Sequence, residues 1–385
     1  MEAIVAGGGI GGLAVAAGLS RRGWDVTVLE RTGEFDVVGS AISLWPNAFR
    51  ALEAVGATVG GERLGAEGGL RDWRGRWIVR MDDDEVATGH TAKAVVTHRH
   101  DLRTALLAQV PAHCRLAGVL VTGARVEGSR AVVEHDGGEL SADLLIGADG
   151  VNSAVRRALW PDAAPARYSK HTAWRMILPR PETLMDAGVE IWAETWGPGA
   201  VFGMFPMGGD RVYCYGTGAV PAGQRGVDGE LAELRRRFED WCEPIPTVLA
   251  AATEERVLRN DIYYLPRLPT YVHGPVALLG DAAHAMTPNL GQGGCQALED
   301  AATLSVAVET QPDLATALRR YDELRRPRTQ ALGRKALLSR DLSHLSWGPA
   351  RAARNAVLRT LPRSVFVRSL AQPFSWRPED GLVRT

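Results

Sequence analysis

Lysine is almost missing from this chain: of 44 basic residues only Lys93, Lys170 and Lys335 are lysines. An arginine surface for phosphate would account for that, but the arginines are scattered and alanine is abundant too. Coding bias is the simpler reading. Cysteine is scarce as well. Cys114, Cys214, Cys242 and Cys295 lie far apart, with no C-x-x-C pair and no histidine at metal-ligand spacing. That argues against a zinc site and a disulfide framework, and the four read as buried thiols in a reducing compartment. An excess of charge is missing too: the net charge of −1 gives no global field, so nucleic acid is not an expected partner. No stretch reaches about 18 uninterrupted apolar residues, which leaves no candidate membrane span. The apolar start from Ile4 to Leu19 lacks a basic leader, is broken by glycines and runs into Arg21-Arg22, so it does not read as a signal peptide. A cytoplasmic protein is expected, and 385 residues suffice for two domains.

What is present begins at residue 3. Ala3-Ile4-Val5-Ala6 is a short apolar run suited to a buried parallel strand, and it stops at Gly7. Leu13 to Leu19 has helical spacing up to Gly23, and Val26 to Leu29 forms a second strand closed by Glu30. The pattern is strand, tight turn, helix, strand, acid, with glycines at Gly7-x-Gly9-x-x-Gly12. Gly7 permits the sharp turn, Gly9 lets a pyrophosphate approach the backbone, and Gly12 lets helix and strand pack closely. Glu30, eighteen residues past Gly12, stands where a carboxylate accepts from ribose hydroxyls. A lone glycine cluster is weak evidence, but here its whole context is present. It establishes a dinucleotide without deciding between FAD and NAD.

Two further strand ends carry polar signatures. Asp143 to Ile146 leads into Gly147-Ala148-Asp149-Gly150, then Ser153 as a helix cap with Arg156 three residues on. Pro275 to Gly280 leads into Asp281-Ala282-Ala283-His284 and the loop Thr287-Pro288-Asn289-Leu290-Gly291-Gln292-Gly293-Gly294, which opens a helix. No second GxGxxG follows a strand, which disfavours a reductase with a dedicated nicotinamide domain.

With these residues in hand, the sequence resembles the single-component FAD-dependent aromatic hydroxylases, the group A flavoprotein monooxygenases that include p-hydroxybenzoate, salicylate and 3-hydroxybenzoate 6-hydroxylases. Urate hydroxylases look most similar within that family. The glycine turn, the motif at Asp149-Gly150 and the motif at Gly280-Asp281 match in order. The stretch Val38 to Asn47 and the helix start His98-Arg99-His100-Asp101-Leu102 match as well. The likeness covers about residues 1–330. It implies a Rossmann-like α/β FAD-binding domain with an inserted antiparallel β-sheet substrate domain, as in p-hydroxybenzoate hydroxylase, and a C-terminal helical tail. It implies non-covalent FAD near Gly7, Gly9, Gly11, Gly12, Glu30, Arg31, Ala41, Ser43, Arg99, Val121, Asp149 and Asp281. Backbone amides of Leu290, Gly291, Gln292, Gly293 and Gly294 would face the flavin's pyrimidine end, where a helix N-terminus stabilises anionic reduced flavin. NAD(P)H would visit, reduce the flavin and leave, and Asp149 and Arg156 would serve both cofactors. Oxygen would then add to give a C4a-hydroperoxyflavin that hydroxylates a small aromatic or heteroaromatic ring.

Between about 164 and 270 the texture changes. His171 to Pro179, Val189 to Trp196, Ala200 to Met207 and Arg211 to Gly218 alternate with Gly, Pro and Asp turns, as antiparallel strands do. Leu231–Trp241 and Pro246–Ala252 read as helices. Strand alternation puts Tyr213 and Tyr215 on one face and Cys214 on the other. Tyr213 and Pro288 are the catalytic candidates; Trp45, Arg175 and Tyr213 are the substrate-contacting ones. Val201 occupies the place where a urate-type enzyme would carry an arginine, which weakens a purine reading. His171 and His284 read as structural.

The expected division is an FAD-binding domain of 1–66, 92–163 and 271–333, a substrate domain of 67–91 and 164–270, and a helical segment of 334–385. Arginines at 351, 354, 359, 363 and 368 of that segment fit a helix packed on the flavin domain with its charges in water. The expected partners are the aromatic substrate, O2 and NAD(P)H, with no nucleic acid, metal or membrane span, and a monomer or homodimer. The alternatives are an epoxidase, oxidase or Baeyer–Villiger-type oxygenase, or a non-catalytic flavin-binding regulator. The halogenase W-x-W-x-I-P signature is absent.

Overall fold

The computed structural model describes residues 1–35, 40–63, 68–81, 94–181, 192–362 and 372–381. Lys93, Val38, Gly39, Val189 to Ile191, Arg363, Arg368 and, of the 67–91 segment named above, residues 67 and 82–91 lie outside the described residues.

A six-stranded sheet forms the first layer, in the order Val272–His273, Val276–Leu278, Leu144–Gly147, Glu2–Ala6, Asp25–Glu30, Arg115–Ala117. All its pairings are parallel except the outermost hairpin. The central strands are apolar over Ala3–Ala6, Leu144–Ile146 and Val276–Leu278 because helices cover the faces. The Ile10–Ser20 helix is buried almost all round, and a Cβ on Gly18 would lie 2.2 Å from Ser305 Oγ in the Gly293–Thr310 helix. Small residues therefore let these two helices meet at backbone distance. The first strand has Asp25–Glu30 on one side and Leu144–Gly147 on the other, the switch point at which such sheets bind ligands beyond their carboxyl ends.

The second layer is a seven-stranded sheet in the order Leu258–Tyr264, Arg167–Pro179, Arg211–Ala219, Ala200–Met207, Ala193–Trp196, Gly68–Asp72, Trp77–Met81. Its pairings are antiparallel save Ala193–Trp196 with Gly68–Asp72. The expected alternation holds. Trp174, Met176, Phe202, Met204 and Cys214 pack outward on the helices Glu230–Phe238 and Ile245–Ala250. Tyr213, Tyr215, Phe205 and Ile177 point inward to Ala41 and Val96 of a small antiparallel sheet, Ala41–Leu44 with Val95–His98, and to Trp45 beside it. A slip of one residue would exchange these faces, so burial on both sides fixes the register.

Residues 121–142 add the antiparallel sheet Val121–Glu127, Arg130–His135, Gly138–Ala142. The C-terminal part departs from expectation. The Leu314–Ser343 helix runs unbroken through position 334, and a second helix, Gly348–Thr360, packs against the Trp77–Met81 strand of the substrate sheet instead of the flavin domain. Its arginines are not all in water: Arg354 is buried over the Trp196 ring at 4.7 Å. An aromatic face and backbone carbonyls make that burial tolerable for a guanidinium.

Candidate active site

The glycine turn is built on contacts that admit no side chain. Gly7 has φ +107°, and a Cβ there would lie 2.4 Å from Ala148 O; on Gly12 it would lie 1.9 Å from Gly7 O. On Gly9 a Cβ would meet nothing within 4 Å. The middle glycine therefore keeps space open for a ligand, while its neighbours keep the backbone close to itself. Gly11 sits tight against Leu279, at 2.4 Å for a built Cβ. Glu30 closes the next strand, its Oε2 accepting from Gly8 N at 2.8 Å and its Oε1 from Thr32 N at 3.0 Å. Arg31, next to it, is exposed, and Val121 opens its strand half-buried.

A second helix start lies across the first sheet. Pro288–Leu290 forms a short turn, Gly291 takes φ +60°, and Gln292 precedes the 18-residue Gly293–Thr310 helix. Neither this helix nor Ile10–Ser20 has a side-chain N-cap. Other helix starts are supplied by side chains: Ser153 Oγ accepts from Arg156 N, Asp313 accepts from Thr316 N, and Glu254 takes the amides of Glu230 and Leu231, although Pro46–Ala54 and Gly348–Thr360 have no such cap. Uncapped first-turn amides are anion seats, and two of them face the same crevice. Gly293 has no neighbour nearer than 4.0 Å to a built Cβ, whereas Gly294 packs on Ile42.

The loop is held from behind by buried charge. Asp300 Oδ2 accepts from Gly280 N at 3.0 Å and pairs with His284 Nε2 at 2.5 Å, while its Oδ1 accepts from Arg325 Nε at 2.6 Å. Arg325 also meets Glu299, which binds Arg328 and Asn47. Asn47 in turn donates to Gln292 Oε1 at 3.1 Å. Burial would raise both carboxyls, but Arg325, with His284 for Asp300 and Arg328 for Glu299, holds them below the usual carboxylate range. Sequence reading missed this cluster. The acidic pair after the glycine loop and the arginines at 325 and 328 were its signals, but separations of 25 to 29 positions hide their meeting.

Between the two turns, Asp149 Oδ2 accepts from Ala154 N at 2.6 Å, and Arg156 donates to the carbonyls of Ala282 and Val151. Arg156 is thus a buried brace between the two polar strand ends. Asp149 Oδ1 and Thr287 Oγ1 are buried without a protein partner. Asp281 is exposed at the start of its short helix and faces Arg99. Arg99 is solvent-accessible yet set deep among protein atoms, as on the floor of a cleft. That depth draws its pKa down, and Asp281 is the chief offset. Ala41 and Ser43 lie on the strand paired with Val95–His98, and Arg99 N donates to Ser40 O at 3.0 Å.

The inward face of the large sheet roofs this floor. Tyr213 is buried close to Arg175; burial pushes its phenol up and the Arg175 charge pulls it back. Tyr215 pairs across the sheet with Gly203, where a built Cβ would lie 2.3 Å from Tyr215 Cζ. Glycine there lets the Tyr215 ring cross the next strand and donate to Glu194 Oε2, whose other oxygen accepts from Trp196 Nε1 at 2.5 Å. Burial holds the Glu194 carboxyl above its usual range. Trp45 stacks on Phe374 at 4.3 Å, with its Nε1 buried and unpartnered beside Gly291. Pro288 is exposed at the edge of the same loop. Tyr213, Arg175, Arg99 and Trp45 thus converge, while His171 meets His344 edge-on, with ring centroids 4.3 Å apart. Among the described residues no cluster fits a metal ion, and no helix is long and apolar enough to cross a membrane.

Two uncapped helix starts below an aromatic-lined sheet define a flavin-dependent oxygenase of the p-hydroxybenzoate hydroxylase type. The chain belongs to the family described as FAD binding domain, which matches residues 1–336. It is 37% identical to the aurachin C monooxygenase/isomerase of Stigmatella aurantiaca over 84% of this chain and 85% of that protein. It is 32% identical to an FAD-dependent urate hydroxylase of Klebsiella pneumoniae over 89% and 91%. Its structure is similar to that of Klebsiella pneumoniae HpxO complexed with FAD and uric acid, with a TM-score of 0.88, 30% identity and coverage of 97% and 96%. FAD is the cofactor and the chain is an FAD-dependent monooxygenase.

Proposed function

We propose that this enzyme hydroxylates a small, electron-rich aromatic or heteroaromatic ring, using NAD(P)H as the electron donor. The observation that carries the reading is the buried Tyr213, beside the half-buried Arg175, on the sheet face above Arg99, the Asp281 helix start and the Gly291–Gly294 loop. The open space at Gly9 and the uncapped amides fit the pyrophosphate and the flavin ring respectively. Glu30, Asp281 and Arg99 would hold the ribose, ribityl and phosphate oxygens, with Gly7, Gly11 and Gly12 shaping the turn. When bound, the flavin supplies the redox and oxygen-activating chemistry.

The protein's part is placement and charge. Burial keeps Tyr213 Oη protonated at neutral pH, so it donates to an oxygen of the substrate. Arg175 and Arg99 favour the deprotonated, more electron-rich ring by their field. Phe205, Ile177 and Trp45 exclude water and select a flat apolar body. Val201 is buried and offers no counter-charge, which favours a substrate less anionic than urate. A second reading, oxygen addition across a ring bond followed by rearrangement, draws on the likeness to the aurachin C monooxygenase/isomerase.

The test is a panel of phenols, quinolones and purines, scored for stimulated NADH and NADPH oxidation and for product mass. A product gaining one oxygen supports hydroxylation or its epoxide variant, which the product's structure separates. Donor oxidation that no ring compound stimulates, with peroxide as sole product, sinks it. Tyr213→Phe should lower turnover by about 10²-fold with FAD content unchanged; unaltered turnover would remove Tyr213 from the chemistry.

A further inference from the structure

A cavity of about 180 Å³ lies away from the flavin cradle, where the Gly68–Asp72/Trp77–Met81 hairpin meets the Gly348–Thr360 helix. Arg74 and Arg76 enter it from the hairpin turn and Arg351 and Arg354 from one face of the helix, three residues apart. Asp72 is the sole carboxylate among its lining residues, and it is already engaged. Its Oδ1 accepts from Arg74 N and Arg76 N at 3.0 and 3.1 Å, and its Oδ2 from Arg76 Nε at 3.0 Å. Arg359 approaches that same oxygen at 3.5 Å.

The remaining charge is uncompensated. Arg354 is 8% exposed and donates only to Asn355 and to the carbonyls of Leu342 and Ser343. Arg351 Nε is buried with no partner. Among the described residues, Arg74 and Arg354 make no ion pair; each lies instead over an indole ring, Trp73 and Trp196. The helix whose first turn borders the cavity also has no side-chain cap. Burial and the nearby Arg351 bring the Arg354 guanidinium down to about 10, outweighing the opposite pull of Asp72, which Arg76 already pairs. Convergent guanidiniums around a void of this size suit a tetrahedral dianion with several acceptor oxygens.

We propose that this cavity is an anion site that takes the phosphate group of a small ligand, held by Arg74, Arg76, Arg351 and Arg354. The phosphate is either free or carried by a nucleotide whose remainder lies outside the cavity. The test uses the FAD-loaded full chain at constant ionic strength. Inorganic phosphate, 2′-AMP and ADP are titrated by calorimetry and tryptophan fluorescence, with chloride as the control. Saturable binding is expected, weakened about tenfold or more in Arg74→Gln and in Arg351→Gln, and unaltered in Arg319→Gln on a remote helix. If 2′-AMP or ADP binds more tightly than phosphate, and Arg351→Gln raises the KM for the pyridine nucleotide without altering kcat, the phosphate belongs to a nucleotide. Equal binding with an unaltered KM assigns free phosphate. No saturable binding at millimolar phosphate, or variants with intact flavin content that bind as the parent does, overturns the proposal.

Discussion

The two uncapped helix starts in the cradle reach the same end by opposite means. Gly7 to Gly12 is made of backbone alone: each glycine is fixed by what a Cβ would strike or leave open. Gln292 to Gly294 is held in place by side chains behind it, through Asn47, Glu299, Asp300, Arg325 and His284. A backbone-built turn tolerates no substitution at its tight positions but needs no distant partner. A side-chain-backed loop tolerates local change, yet depends on residues thirty positions away. It is also the start whose local charges can titrate.

The largest expected effect falls on the first turn. Gly12→Ala would place a methyl 1.9 Å from Gly7 O, a contact relieved only by moving the backbone. We expect a loss of more than about 3 kcal/mol and no retained flavin, read from thermal unfolding and the 450-nm-region absorbance. Gly9→Ala is its partner experiment, since nothing lies within 4 Å of the new methyl. The apoprotein should then unfold as the parent does, while FAD binds about tenfold more weakly. Equal behaviour of the two variants would break the distinction between shaping and ligand-facing glycines.

Next in size is Arg325→Leu. It leaves Glu299 and Asp300, both fully buried, without their shared cation, and should cost roughly 3–5 kcal/mol. If that variant keeps parental stability and flavin content, the second loop does not depend on its buried support. Asn47→Ala should be milder, removing two hydrogen bonds but no charge, at about 1–3 kcal/mol.

This contrast also explains what was legible in the sequence. The first turn could be read because strand, glycines, helix and acid fall within thirty residues, and each type answers to a local constraint. The alternation that faces Tyr213 and Tyr215 inward was equally local. The network behind the second loop was not, because its members lie at 47, 284, 299, 325 and 328 and meet only through tertiary packing. Gly203 was illegible for a related reason. Its role is to let the Tyr215 ring cross to Glu194, and that depends on cross-strand register, not on the strand's own pattern. The C-terminal helix went astray because amphipathicity says that a face is covered and not by what.

The smallest predicted effect concerns the far support of the second loop. The Leu314–Ser343 helix ends against Pro288–Leu290, and His344 joins that end to the substrate sheet through Thr217 Oγ1 at 2.8 Å. Burial, helped by His171, lowers His344 from 6.5 to about 4. Arg340 presses in the same direction and Asp341 against it. A depressed folded-state pKa means that the neutral ring's contribution is complete above the unfolded value near 6.5. It is lost as the pH falls toward 4, because the folded chain resists a proton that the unfolded chain accepts. Between pH 7 and pH 5 the parent should therefore lose stability with a slope approaching about 1.4 kcal/mol per pH unit from this group. His344→Gln should show a visibly shallower slope in denaturant titrations at each pH. Parallel slopes for the two proteins would relieve His344 of the role and leave acid sensitivity of this junction to His171.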